Sequence, residues 1–151
     1  MKQELDSAVL PRDFLEDMQS LLGDEYEQFL ASCSDEKKQA LRINTLKSDY
    51  DTVSKEFALS PVPWCKDSYY YDENERPGKS VLHEGGAFYI QEPSASAVVE
   101  NLGVKAGETI LDLCAAPGGK STQIAAKMQG SGVLVANEII PSRAKILSQN
   151  I

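Results

Sequence analysis

The chain has 151 residues, 42% of them apolar and 25% charged, and a formal net charge of −8. It is too apolar for a disordered polymer. With no apolar run near the roughly 20 residues a bilayer span needs, it reads as a soluble globular protein. Residues 1–80 hold 17 acids against 10 bases and residues 81–151 hold 6 against 5. No cluster of Lys and Arg is present to neutralise a nucleic-acid backbone, so any RNA-binding surface is expected mostly elsewhere. The opening MKQELDSAVL carries acids where a signal peptide is apolar, which predicts a cytoplasmic protein. Cys33, Cys65 and Cys114 are far apart, without a C-x-x-C pair, so neither a disulfide framework nor a metal site is expected. His83 is the sole histidine and reads as a surface or loop residue.

Leu10, Phe14, Met18, Leu21 and Leu22 recur at helical spacing, with Pro11 in the first turn and Gly23 as the stop. Asp24 and Glu27 resemble a capping box opening a second helix, whose Tyr26, Phe29, Leu30 and Cys33 share one face. On that face Cys33 reads as core filler. ALRINTLK (40–47) alternates as a half-buried strand does, Arg42 and Asn44 on one face and Ile43 and Thr45 on the other. A short helix is expected over 49–57. SYYYDENERPGKS then reads as a strand running into a charged turn, although its tyrosines could stack on bases. A first domain over residues 1–80, with its boundary near Gly78 to Glu84, and a second over 81–151 are expected.

In the second part a helix opens at Pro93 and runs to about Leu102. ETILDLCAA follows as a strand, 119–128 as a helix, GVLVANE as a strand and 141–150 as a helix. This β-α-β-α order predicts a parallel sheet. The fold class is therefore α/β, a small α+β domain followed by the start of a Rossmann-like domain. Two strands are too few for a doubly wound sheet, and the chain stops in mid-helix, so a fragment of a longer protein is expected.

The loop LDLCAAPGGKS has three readings. A phosphate-binding P-loop would need glycine where Cys114 stands, and Gly118-Gly119 does not supply the G-x-G-x-x-G of a dinucleotide site. The third is S-adenosyl-L-methionine. Ala115, Ala116, Gly118 and Gly119 allow close backbone approach, and the N–H groups of the next helix face its carboxylate. Glu138, 20 residues past Gly118, is placed to accept from ribose hydroxyls, and Asp112 is a second candidate acid.

LDLCAAPGGKSTQIAAKM followed by GVLVANEIIPSRAKIL resembles the Sun (Fmu-type) RNA cytosine-C5 methyltransferases. GAFYIQEPSA, LPRDFLEDMQSLLGDEYEQFLAS and LRINTLK resemble the same family, in its bacterial RsmF-like ribosomal RNA branch. The resemblance implies a class I methyltransferase domain, truncated here, S-adenosyl-L-methionine as cofactor and RNA as partner. It also implies a donor site lined by Cys114, Ala115, Ala116, Pro117, Gly118, Gly119 and Lys120, with Glu138 on the ribose and Tyr89 to Ala95 flanking the active site.

Methylation at C5 needs a thiolate that adds to C6 and later leaves. Cys114 ends a strand on the cofactor's side, and in this family the attacking cysteines follow later strands, in T-C-S and P-C-S-G segments that this sequence lacks. The resemblance therefore implies no catalytic residue within these 151 positions. The alternative is a non-catalytic module that binds S-adenosylmethionine, or self-associates through an exposed sheet edge.

Overall fold

The computed structural model describes residues 10–35 and 37–151. The first nine positions of the acidic opening segment lie outside the described residues. The chain divides into two compact units, one ending at Lys37 and one spanning Lys38–Ile151.

The first unit is a helical hairpin. Helix α1 (Arg12–Leu22) starts after Pro11 and stops at Gly23, whose φ of 53° is left-handed and costs glycine little. A 3₁₀ turn, Gly23–Glu25, leads into α2 (Tyr26–Cys33). Phe14 and Phe29 meet across the hairpin with ring centroids 6.2 Å apart. The expected capping box does not form. Asp24 lies inside the 3₁₀ turn, Glu25 takes the cap position, and no side chain bonds to the helix start. Gly23 lets one helix run almost directly into the next, so no extended residue remains to cap.

The second unit opens with four antiparallel strands, β1 (Ala40–Ile43), β2 (Ser60–Val62), β3 (Cys65–Tyr70) and β4 (Phe88–Ile90), in the order β2-β3-β1-β4. Leu41 pairs with Tyr69 on one side and Ile90 on the other, so β1 is central. Two one-turn helices, α3 (Tyr50–Val53) and α4 (Val81–Glu84), are capped by Asp49 and Ser80. Leu41 and Ile43 pack with Val53, Phe57, Ala87 and Phe88 as the main core. The half-buried reading of β1 is corrected here: all four of its residues are buried, Arg42 included, at 4% exposed. A central strand covered on both faces loses the alternation on which that reading rests.

On the other face of β1, Arg42 is met by side chains of α6 (Gly119–Met128), and α5 (Pro93–Leu102) packs on the neighbouring β3. Helix α6 follows β5 (Thr109–Asp112) and precedes β6 (Val133–Ala136) and α7 (Pro141–Asn150). Strands β5 and β6 pair in parallel, Thr109 with Val133 through Asp112 with Ala136. Val99, Ile124 and Met128 pack on Ile110 and Leu134, and Leu147 of α7 packs on Ala136, so both later helices lie on one side of these strands.

Glu100 of α5 ties the layers together. It accepts from Lys127 Nζ at 2.8 Å, from Gln123 Nε2 at 3.2 Å and from the Cys65 thiol at 3.2 Å. Burial alone would raise its pKa, but the hydrogen bonds from Lys127, Cys65 and Gln123 outweigh it and hold the carboxyl below its ordinary value. A carboxyl depressed in the folded state adds stability above its unfolded pKa, about 4.3, and loses it as pH falls through the lower folded value. Glu100→Gln is therefore expected to be less stable than the wild-type chain at pH 7, with the gap closing toward pH 3. Urea unfolding across that range measures it, and a gap independent of pH contradicts the assignment.

Candidate functional site

The turn from β5 into α6 is held from three directions. Asn137, just past β6, donates its backbone N–H to Asp112 O and its side-chain amide to Leu113 O, and accepts from Ala115 N at 2.9 Å. Helix α7 holds the next two carbonyls: Arg143 Nη2 donates to Ala116 O at 2.8 Å and Asn150 Nδ2 to Pro117 O at 2.7 Å. The third anchor is α6 itself, where Thr122 donates from both N–H and Oγ1 to Gly118 O at 2.8 Å. Gly118 has φ of 120°, and a Cβ there would lie 3.3 Å from Asn150 Cβ. Only glycine takes this turn without strain.

Asp112, the second candidate acid, accepts from the buried Ser121 hydroxyl at 2.7 Å and so pins α6 to β5. It is committed to the scaffold.

Against this loop stands the end of β4 and the start of α5. A Cβ on Gly119 would lie 3.1 Å from Tyr89 Cε1 and 3.4 Å from Gln91 Nε2, so the two walls approach closely where that side chain is missing. They enclose a cavity of about 210 Å³ lined by Tyr89, Ile90, Gln91, Glu92, Ala95, Ala115, Ala116, Pro117, Gly119 and Lys120. Glu92 is engaged as the α5 cap. It accepts from Ala95 N and from the Ser94 hydroxyl, and that hydroxyl above all holds its carboxyl below the usual range.

Of the residues expected from sequence, Ala115, Ala116, Pro117, Gly119 and Lys120 line this cleft. Cys114 is exposed and outside its lining, as is the buried Gly118. Glu138 also stands outside. Its side chain is 4% exposed, Oε1 accepts from Ile140 N at 3.0 Å, and Oε2 is 3.3 Å from Arg143 Nη1. At that ion-pair separation Oε2 still has no hydrogen-bond partner, leaving a buried acceptor open. Arg143 joins it to the cleft by bonding Ala116 O.

Sequence reasoning missed Arg143, Arg42 and Thr122. Arg143 follows Glu138 by five residues near the start of a helix, a weak signal. Arg42 announces itself only by polarity inside an apolar strand. Among the lining residues there is no cysteine or histidine. The cleft offers small walls, an amide donor and one ammonium group, which suits holding a polar ligand. Among the described residues no three His, Cys, Asp or Glu side chains are grouped to hold a metal ion, and no helix is long and apolar enough to cross a membrane.

Comparison with known proteins covers nearly the whole chain. Residues 10–93 match the model of the N-terminal domain of 16S rRNA methyltransferase RsmF, and residues 99–151 match 16S rRNA methyltransferase RsmB/F. Ribosomal RNA small subunit methyltransferase F of Vibrio vulnificus is 42% identical over 157 residues, covering 96% of this chain and 33% of that protein. The chain thus spans about a third of the length of the curated relatives it matches. A methyltransferase homolog protein from Pyrococcus horikoshii superposes with a TM-score of 0.75 at 25% identity, over 93% of this chain and 54% of its own. A structure of NSun6 from Pyrococcus horikoshii with SFG gives a TM-score of 0.81 at 16% identity, over 93% of this chain and 62% of its own. At that identity it speaks to the fold alone.

Proposed function

The chain belongs to the family of the 16S rRNA methyltransferase RsmF, a small N-terminal domain followed by part of a methyltransferase fold, and from that premise we propose that it carries the S-adenosyl-L-methionine site of an enzyme methylating C5 of cytosine in small-subunit ribosomal RNA. A division near residue 80, and action in the cytoplasm, are parts of the same proposal. The observation that carries it is the cleft between the Ala115–Lys120 loop and the Tyr89–Ala95 segment.

The residues present fit the cofactor. Ala115, Ala116 and Gly119 leave room for close backbone contact, Lys120 and the first turn of α6 favour a carboxylate, and Glu138, whose Oε2 pairs with Arg143 but accepts no hydrogen bond, suits a ribose hydroxyl. When bound, S-adenosylmethionine supplies a methyl group on an electrophilic sulfonium. The chain's own residues hold and orient it.

No thiol here is placed as the nucleophile at C6. Cys65 is buried against Glu100, and burial first of all pushes its thiol pKa up, opposite to what attack requires. Cys33 is half-buried in α2, and Cys114 faces outward beyond the cleft. The 151 residues by themselves are therefore expected to bind the methyl donor without turnover, with RNA contacts made largely by other parts of the enzyme.

Titration calorimetry of the 151-residue chain with S-adenosylmethionine tests this, and absence of binding refutes it. Glu138→Ala is expected to weaken binding by about 1–3 kcal/mol, the scale of a lost charge-assisted hydrogen bond. An unchanged affinity would remove Glu138 from the site.

A second reading concerns the isolated chain. Leu111, Leu113, Val133 and Val135 leave one face of β5–β6 apolar and exposed, Leu113 at 63%, which favours self-association. Sedimentation showing a monomer at high concentration argues against it.

A further inference from the structure

Arg42 is an arginine on a central strand, 4% exposed, charged and, among the described residues, without a carboxylate bound to it. Burial lowers its pKa to about 10, so the guanidinium stays protonated at neutral pH. Such a group is costly to bury unless its donors are used. Two arms of the fork are used, in a particular pattern.

Nη1 donates to Gln91 Oε1, with a longer contact of 3.4 Å to Gln123 Oε1. Because Gln91 turns its oxygen to the guanidinium, its amide nitrogen faces Gly119, the residue that lines the cleft. Nη2 donates to Thr122 Oγ1 at 2.7 Å. That hydroxyl, accepting from the guanidinium on one of its two lone pairs, directs its single proton to the loop, at 2.8 Å from Gly118 O and 3.2 Å from Gly119 O. The Tyr89 ring, also lining the cleft, lies 5.7 Å from the guanidinium carbon. One planar group thus reaches both walls, β4 through Gln91 and Tyr89, and the glycine loop through Thr122.

We propose that Arg42 is a positioning residue for the cleft, fixing the separation of its two walls and turning the Gln91 amide donor and the Thr122 hydroxyl toward the Gly118–Gly119 loop. The proposal rests on the reading of this cleft as the S-adenosylmethionine site. The guanidinium itself touches no ligand. A lysine at this position keeps the charge but presents a single ammonium point, which cannot span both partners in the plane the fork uses.

The test compares Arg42→Lys and Thr122→Val with Val53→Ala, a core control on the opposite face of β1. Two quantities are read, the Kd for S-adenosylmethionine by calorimetry and the hydrogen exchange of the Thr122 amide, which donates to Gly118 O. Arg42→Lys is expected to raise Kd at least ten-fold and to speed Thr122 exchange selectively over the β1–β3 amides. Thr122→Val is expected to raise Kd three- to ten-fold, and the double variant to bind no worse than Arg42→Lys. Val53→Ala is expected to lower Tm and leave Kd unchanged.

Binding by folded Arg42→Lys within two-fold of wild type, or equal weakening by Val53→Ala at a matched Tm loss, overturns the proposal. If Arg42→Lys does not fold, Thr122→Val decides, and its unchanged Kd is the overturning result. If the wild-type chain does not bind S-adenosylmethionine, the cofactor reading fails separately. Exchange alone then decides, with undisturbed protection of the backbone amide at position 122 in Arg42→Lys, or in Thr122→Val where Arg42→Lys does not fold, overturning the role of Arg42.

Discussion

Gly132→Ala is expected to destabilise the chain by more than about 3 kcal/mol, whereas Gly130→Ala, two residues earlier, costs only about 1–2 kcal/mol. Both glycines have left-handed backbones, φ of 74° at Gly130 and 107° at Gly132, so both substitutions meet conformational strain. They differ in what surrounds them. A Cβ on Gly130 meets nothing within 4 Å, while one on Gly132 would lie 2.3 Å from Glu108 O, 2.7 Å from Met128 Cε and 3.0 Å from Glu108 N. The methionine end can swing away. Glu108 cannot, because its carbonyl accepts from Val133 N at 2.9 Å, and beside it Gly107 N donates to Ser131 O at 3.0 Å. Relief therefore requires β5 and β6 to part where their pairing begins. Urea unfolding of the two variants separates strain from collision, and equal losses would show that the collision relaxes cheaply.

That position illustrates what the sequence could and could not disclose. The β-α-β-α order after Pro93 was legible because apolar runs recur at regular intervals and glycines lie at or just past the ends of α5 and α6. Helices α5, α6 and α7 begin and end within a residue or two of the expected places. The glycine loop was legible for the same reason, since adjacent small residues after a strand have few other uses. The first part was read less well. Strand β4 is three residues long and follows Gly85-Gly86, too short for any period to show. Arg42 reads only as part of one face of a half-buried strand, because periodicity records polarity and not the partner 80 positions later that accepts from it. Arg143 escaped for a related reason: its role lies in a bond to Ala116 O across a loop, which local spacing does not encode. The capping box at Asp24 was a correct local pattern overruled by a tight turn at Gly23.

Gly119→Val is expected to abolish S-adenosylmethionine binding, with Kd rising at least about 100-fold, while the fold loses no more than the roughly 1–3 kcal/mol of ordinary overpacking. The first added carbon would already stand 3.1 Å from the Tyr89 ring edge and 3.4 Å from Gln91 Nε2. The two γ-methyl groups would enter the cleft or push Gln91 away from Arg42. The smaller change is the sharper probe. Gly119 opens α6 with an ordinary helical backbone, and alanine favours a helix over glycine by up to about 1 kcal/mol. Gly119→Ala, whose Cβ fits only if Tyr89 and Gln91 give by a few tenths of an ångström, is expected to lose less stability than Gly119→Val while binding S-adenosylmethionine roughly ten-fold more weakly. A ten-fold loss of affinity with little loss of stability is not what a general loosening of the fold produces. Calorimetric titration beside a thermal melt reads both. If Gly119→Val bound the cofactor as tightly as the wild-type chain, the ligand would have to sit away from the narrow gap between Gly119, Tyr89 and Gln91, and the cleft would lose its claim to be the site.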